Sequence, residues 1–258
     1  MTRFEGPGRF EGKVAVVTGA AQGIGAATAR RFAAEGATLA VVDLTEERAA
    51  RTAKELRETG APALAVGLDV ADASAVDATI DGIVAELGKI DILVNNAGVT
   101  KDNLVFKMSE DDWDTVLDVN LKSVFLLIRA AQRHMVPAKY GKIVNLSSIS
   151  ARGNRGQANY SAAKAGIQGI TSALAIELGP YGINVNAVAP GYVATPMTDA
   201  TARRVGVSPE QAQESAASQI PLRRVAQPED IAAVVTFLAS EDAQYVTGQT
   251  IYATGGLR

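Results

Sequence analysis

Short apolar runs alternate along the chain with longer stretches in which apolar positions recur at helical spacing. Lys13–Thr18 (KVAVVT) reads as a strand, Gly19–Gly25 as a glycine turn, and Ala26–Glu35 as an alanine-rich helix closed by Gly36. Thr38–Val42 is the next strand, Glu46–Thr59 a charged amphipathic helix ended by Gly60, and Leu64–Gly67 a strand leading to Asp69. A helix over Ser74–Leu87 and an apolar run over Ile90–Val94 follow. The second half repeats the scheme with a long helix around Asp111–Met135, a strand Gly141–Leu146, a helix Asn159–Leu178 and a strand Ile183–Val188. A helix Pro228–Ala239, with Pro228 in its first turn, and a strand Gln249–Ala253 complete it. Apolar strands alternating with helices of ten or more residues predict βαβ units and an α/β fold, its parallel sheet covered by helices on both faces.

Two segments stand apart. Residues 1–10 carry Gly6, Pro7 and Gly8 and read as a flexible tail, leaving 11–258 as a single domain. Pro190–Arg224 is polar and interrupted by Pro196, Pro209 and Pro221. Insertions of this length in compact domains tend to cover binding sites, so a substrate lid is expected over about 190–224.

Composition narrows the chemistry. The 258 residues include no cysteine, which removes disulfides, cysteine–zinc sites, iron–sulfur clusters and thiol nucleophiles. His134 is the single histidine, so no cluster of imidazole ligands exists and no metal is expected. A Ser–His–Asp hydrolase would have to use His134, which reads as an ordinary helix-end residue. A net charge of −3 argues against nucleic-acid binding through a broad basic surface. The longest apolar runs, Val14–Val17 and Val124–Ile128, fall far short of the ~20 residues of a membrane helix. The first residues, MTRFEGPGRFEGK, contain no apolar signal core, and the expectation is a cytoplasmic protein.

The glycine turn Gly19-Ala-Ala-Gln22-Gly23-Ile24-Gly25 joins the first strand to the first helix. Glycines there permit a tight turn and close approach of a phosphate, while the helix start offers free N–H groups and a positive dipole end. Asp43 ends the second strand, 24 positions after Gly19, where an acid can accept hydrogen bonds from an adenine ribose. A 2′-phosphate would face that carboxylate. Like charges at ~4 Å repel by about 1 kcal/mol in water and about 4 kcal/mol at an effective dielectric of 20. NAD(H) is therefore expected over NADP(H), with Arg48, a turn further on, as the residue that could soften the preference.

Tyr160 and Lys164 are spaced i, i+4 and share a helix face. A neighbouring ammonium favours a phenolate, so Tyr160 can exchange a proton with a carbonyl oxygen while hydride moves at carbon. Ser147 and Ser148 close the strand KIVNLS at the edge where ligands gather. Asn120, an indifferent helix former inside the long helix, is a candidate for a polar relay.

Taken together, these residues resemble the short-chain dehydrogenase/reductase family. The matches are TGAAQGIG (Thr18–Gly25), LDV (Leu68–Val70), NNAG (Asn95–Gly98), Asn120, LSS (Leu146–Ser148), YSAAK (Tyr160–Lys164) and PGYVAT (Pro190–Thr195), in the family's order over about Phe10–Gly256. The resemblance implies a Rossmann-like, doubly wound parallel sheet of about seven strands, usually in a homotetramer. It implies a catalytic set of Asn120, Ser148, Tyr160 and Lys164. Asp69 and Val70 would contact adenine, Asn96, Ala97 and Gly98 lie under the cofactor, and Pro190, Gly191, Val193 and Thr195 flank the nicotinamide. The family's serine usually precedes its tyrosine by thirteen positions. Here Ser148 lies twelve before and Ser147 thirteen, and alignment on the strand selects Ser148.

Within the family, VTKDNL (Val99–Leu104), GQANYSAAKAG (Gly156–Gly166) and NAVAPGYVATPMT (Asn186–Thr198) look like 3-oxoacyl-[acyl-carrier-protein] reductases. That similarity implies an acyl-thioester substrate and an acyl carrier protein as partner, for which Arg129, Arg133 and Lys101 are candidate cations. Such reductases normally use NADPH and place a basic residue in the glycine turn, where this chain has Gln22. The alternative is a family member acting on a steroid, a sugar or a small secondary alcohol. A dinucleotide-binding protein without catalysis would not need all four of Asn120, Ser148, Tyr160 and Lys164.

Overall fold

The computed structural model describes residues 8–257. Seven parallel strands form one sheet: β1 (Val14–Thr18), β2 (Thr38–Asp43), β3 (Ala63–Gly67), β4 (Ile92–Asn95), β5 (Gly141–Leu146), β6 (Ile183–Pro190) and β7 (Thr250–Ala253). Their order is β3-β2-β1-β4-β5-β6-β7. The direction of winding reverses between β1 and β4, and the carboxyl ends of strands flanking such a reversal open into a crevice.

Neighbouring strand residues feed two separate cores, as the period-two geometry of a strand requires. Val16, Val42, Leu93 and Ile143 pack into one layer with Ile80, Leu127 and Ile167. Ala15, Val17, Ile92, Val94 and Val144 pack into the other with Phe32, Ala49, Ile231 and Val235. The first layer is supplied by helices α3 (Ala73–Leu87), α5 (Ser123–Ala138) and α6 (Ala158–Leu178). The second is supplied by α1 (Gly23–Ala34), α2 (Glu46–Glu58) and α9 (Pro228–Ala239). This two-sided burial explains why the strands read as unbroken apolar runs.

The long helix expected around Asp111–Met135 is interrupted. Helix α4 (Glu110–Leu117) passes into a π turn over Asp118–Lys122 before α5 begins. Asn120 lies in that turn, and its Nδ2 donates to the Val116 carbonyl at 2.9 Å and to the Val99 carbonyl at 3.0 Å. The side-chain amide thus satisfies a carbonyl in the widened turn, and such turns recur at functional sites.

The 190–224 segment is more regular than its sequence suggested. It forms α7 (Pro196–Arg204) and α8 (Pro209–Gln219), and Val193 bridges Ala226 where the chain returns to the body. Pro196 and Pro209 stand in the first turns of these helices, where a missing N–H costs nothing. The expected tail also shortens. Arg9 pairs with Glu35 at 2.5 Å, and Phe10 is buried edge-on to Phe32 at 4.8 Å. Residues 1–7 of that expected tail lie outside the described residues. Among the described residues no helix is long and apolar enough to cross a membrane.

Candidate active site

A cleft of about 470 Å³ opens at the carboxyl edge of the sheet, where the strand order reverses. Its floor is the glycine turn. Gly19 holds φ at +64°, and a Cβ there would lie 2.9 Å from the Ala97 Cα. A Cβ on Gly25 would meet the Gly19 carbonyl oxygen at 2.3 Å, so a side chain at either position would displace backbone. Asn96 clamps the turn, its Nδ2 donating to the Thr18 and Gly19 carbonyls at 2.8 and 3.1 Å. The Asn96 and Ala97 amides both donate to Thr18 Oγ1 at 3.1 Å. Gly19, Gln22, Gly23 and Ile24 line the cleft, while Gly25 supports them from behind.

Helix α1 begins at this turn with no side-chain cap from Gln22 and no acid in its first turn. By contrast, Thr45, Asp72, Ser109, Thr195 and Ser208 cap α2, α3, α4, α7 and α8 with side-chain oxygens. The N–H groups of α1 are thus left to an anion from outside the helix.

At one end of the cleft Asp43 is 7% exposed. Its Oδ2 accepts from the Ala21 amide at 3.0 Å, and its Oδ1 from the Leu44 amide at 2.9 Å and from Arg48 Nε at 2.8 Å. Arg48 lies in the cleft wall. Leu68, Asp69 and Val70 form the adjoining wall, with Asp69 Oδ1 holding the Ala71 amide at 3.0 Å. Asn96, Ala97 and Gly98 continue the floor, and Pro190, Gly191, Val193 and Thr195 face them.

The opposite end holds the candidate reacting groups. Tyr160 and Lys164 stand on one face of α6, with Nζ 5.3 Å from the phenol ring centroid. Lys164 is 4% exposed and donates from Nζ to the Leu146 carbonyl at 2.7 Å. The two serines diverge, as adjacent residues at a strand end do. Ser148 lines the cleft with Tyr160, and its Oγ accepts from the Ser150 amide at 3.1 Å. Ser147 turns away, donating to the Lys164 carbonyl at 2.8 Å and accepting from Gln168 Nε2 at 3.1 Å.

Proton affinities here depart from the expectation. Burial pushes the Tyr160 phenol up to about 12, with the Ser148 hydrogen bond pulling it back and the Asp102 carboxylate adding to the rise. Burial also pulls the Lys164 ammonium down to about 7. Before any ligand binds, desolvation therefore outweighs the lysine's expected stabilisation of a phenolate.

Asn120 does not line the cleft. It is fully buried behind Gly98, with its Oδ1 unpartnered. The point where a Gly98 Cβ would sit is 2.6 Å from Asn120 Oδ1 and 3.7 Å from Lys164 Nζ. The glycine leaves open the space between these two groups.

A family profile described as enoyl-(acyl carrier protein) reductase matches residues 19–258. The chain is also 49% identical over 243 residues to the short-chain reductase protein NovJ of Streptomyces niveus, covering 94% of this chain and 93% of NovJ. The chain belongs to the short-chain dehydrogenase/reductase family. It is 45% identical over 250 residues to the 3-oxoacyl-[acyl-carrier-protein] reductase FabG of Thermotoga maritima, covering 96% of this chain and 99% of that one. Among solved structures, levodione reductase superposes with a TM-score of 0.92 at 36% identity, covering 96% of this chain and 98% of its own.

As a short-chain dehydrogenase/reductase, the protein is an oxidoreductase acting on CH–OH groups with a nicotinamide nucleotide. The uncapped start of α1 and the glycine-only approach above it fit the diphosphate of that nucleotide. Met197 and Thr198 of the expected lid also line the cleft, and cleft residues absent from the sequence reading include Leu44 and Val119. Their signal was weak, because apolar residues flanking a turn look alike whether they line a cleft or face water. The candidate cations Arg129 and Arg133 are already engaged, Arg129 with Asp77 at 3.3 Å and Arg133 with Asp81 at 3.0 Å. His134 Nε2 contacts the same Asp81 at 2.8 Å, on the outer face of α5.

Proposed function

We propose that this enzyme reduces the ketone of a 3-oxoacyl thioester to a secondary alcohol, with Asn120, Ser148, Tyr160 and Lys164 as its working residues. The observation that carries the reading is the meeting of Tyr160, Ser148 and Lys164 at the sheet edge, in a chain 45% identical to a 3-oxoacyl-[acyl-carrier-protein] reductase. When bound, the nicotinamide supplies a hydride to the ketone carbon. Ser148 hydrogen-bonds the ketone oxygen and holds it beside the phenol. Tyr160 gives its proton to that oxygen as negative charge develops there. Lys164 bonds the nicotinamide ribose and, once protonated, lowers the cost of the phenolate left behind. A water between Lys164 Nζ and Asn120 Oδ1, above Gly98, would relay a proton from bulk solvent through Lys164 to the phenolate.

The remaining lining residues hold the nucleotide. Gly19, Gln22, Gly23 and Ile24 present their N–H groups to the diphosphate, with Gly25 allowing the approach. Asp43 accepts from the adenine ribose, Asp69 and Val70 border adenine, and Asn96, Ala97 and Gly98 lie beneath. Pro190, Gly191, Val193 and Thr195 flank the nicotinamide, and the 190–224 segment closes above substrate as a lid. Asp43 favours NAD(H), while Arg48 at 2.8 Å softens the repulsion of a 2′-phosphate, so NADP(H) binds more weakly without being rejected. A cytoplasmic homotetramer is the proposed form.

The test is a side-by-side titration of NADH and NADPH with an acetoacetyl thioester. NADH oxidation is expected, with a lower KM for NADH, and its absence with both nucleotides refutes the reading. The 36% identity to levodione reductase favours a second reading, a free ketone as substrate. Faster turnover of free ketones than of carrier-protein thioesters would select it.

A further inference from the structure

Helix α6 carries both Tyr160 and Lys164, and its buried face includes Ala163, Ile167, Ala175 and Leu178. Apolar burial is non-directional, so such a face holds a helix against a sheet without fixing its register along the strand beneath. Hydrogen bonds to the end of β5 supply that register. Asn145 Nδ2 donates to Thr171 Oγ1 at 2.9 Å in a fully buried rung. Nearer the cleft, Lys164 is gripped at both ends by consecutive residues. Its Nζ donates to the Leu146 carbonyl at 2.7 Å, and its own carbonyl accepts from Ser147 Oγ at 2.8 Å. Ser147 in turn accepts from Gln168 Nε2 at 3.1 Å. The Tyr252 hydroxyl donates to Gln168 Oε1 at 3.1 Å and lies 3.0 Å from its Nε2. Tyr252 stands on the edge strand β7, beyond β6 from β5. The Arg152 guanidinium covers its ring, 3.9 Å from the centroid. The donors run one way, from Tyr252 through Gln168 and Ser147 to the backbone of Lys164, and hydrogen bonds in such a chain polarise one another.

We propose that Tyr252 and Gln168 are positioning residues for the reaction. Acting through Ser147, they set the register of α6 against β5, and so the place of Lys164 and Tyr160 relative to Ser148. This rests on the reading of Tyr160 as the proton donor. Ser147 lines the cleft, whereas Gln168 and Tyr252 do not, so any effect of theirs on the chemistry passes through the chain of hydrogen bonds. Ser147 and Ser148 are adjacent, so one strand end carries both the pin for the helix and the group that orients the ketone. A misplacement of about 1 Å between reacting groups can slow a reaction by about 10²-fold, which makes such a pin worth having. The pin is separable from the fold, because the Asn145–Thr171 rung and the apolar face keep α6 docked without it.

The test is the single-turnover rate of NADH oxidation at saturating ketone for Tyr252→Phe, Gln168→Met and the double variant. NADH-binding sites are counted by fluorescence titration, and ketone KM and melting temperature are measured alongside. Tyr252→Phe keeps the ring under Arg152 and removes only the hydroxyl, while Gln168→Met keeps the chain length and removes the amide. Each is expected to lower the rate per NADH-binding site by about three- to tenfold, with ketone KM and NADH affinity little changed. The double variant loses no more than Gln168→Met alone, as members of one chain do. A merely structural tie would lower the melting temperature or the number of NADH-binding sites and leave the rate per site at the parent value. That result overturns the proposal, as does a raised KM at constant rate, or losses that multiply in the double variant. If Gln168→Met fails to fold, Tyr252→Phe decides alone. Absence of NADH oxidation by the parent with every ketone, or full activity in Tyr160→Phe, overturns the functional reading itself. Retained Tyr160 dependence with an unmoved rate in Tyr252→Phe overturns the positioning inference alone.

Discussion

The two ends of the cleft treat charge in opposite ways. Asp43 is met by three donors, the Ala21 and Leu44 amides and Arg48 Nε. Lys164 is equally hidden, yet its ammonium meets a neutral carbonyl, that of Leu146. A charge that is solvated by donors stays a charge, and its use is selective binding. A charge that is buried without a counter-ion becomes a movable proton, and its use is chemistry. On the proposed function, one sheet edge would supply a selector at one end and a proton reservoir at the other.

The hardest blow to this contrast falls at the reservoir. Tyr160→Phe is expected to lower kcat by about 10²–10⁴-fold while leaving NADH affinity nearly unchanged, measured by steady-state assay and fluorescence titration. Ser148→Ala should cost about 10²-fold or more in kcat, and Ser147→Ala far less, since Ser147 faces the Lys164 carbonyl. The reverse order would reassign the serine.

Stability tests the same end without turnover. Lys164 titrates near 7 in the folded protein and at the ordinary 10.5 when unfolded. Between those values the unfolded chain binds more protons, so Lys164 makes the ligand-free protein gain stability as pH rises from about 7 towards 10.5. Below 7 the cost of a buried ammonium is fully present. Lys164→Met is expected to flatten that rise in denaturation curves taken across the window. Tyr160, raised to about 12, adds its own loss only above pH 10.

At the proposed selector, Asp43→Ser is expected to shift the NADH-to-NADPH affinity ratio towards NADPH by about fivefold to nearly a thousandfold, the span set by about 1–4 kcal/mol of removed repulsion. Equal affinities before and after the change would remove Asp43 from that role. The smallest effect sharpens the contrast within the helix starts. Thr45→Ala should cost about 1 kcal/mol in thermal stability, because its oxygen caps α2 at the Arg48 amide. Gln22→Ala, at the uncapped start of α1, should cost much less.

Much of this was legible because the sheet is buried on both faces and its strands stand out as apolar runs. Gly141–Leu146 and Pro228–Ala239 have the bounds their pattern predicts. Most candidate site residues also fall at strand ends or on one helix face, positions that spacing alone can locate. The π turn at Asp118–Lys122 was not legible, since one wide turn scarcely disturbs a helical apolar pattern. The helices of 196–219 hid behind prolines that read as breaks and act as starts. The Arg48–Asp43 pair depends on how α2 turns back over β2, and the acidity of Lys164 on burial. Neither quantity is local to the residues concerned.

The missing side chain of Gly98 has a consequence of its own. Asn120 Oδ1 faces the space above it at 2.6 Å. One methyl group would turn that opening into a wall, pressing on Asn120 Oδ1 and only touching Lys164 Nζ at 3.7 Å. On the proposed function, a single carbon atom would separate the supply line for protons from the track for hydride.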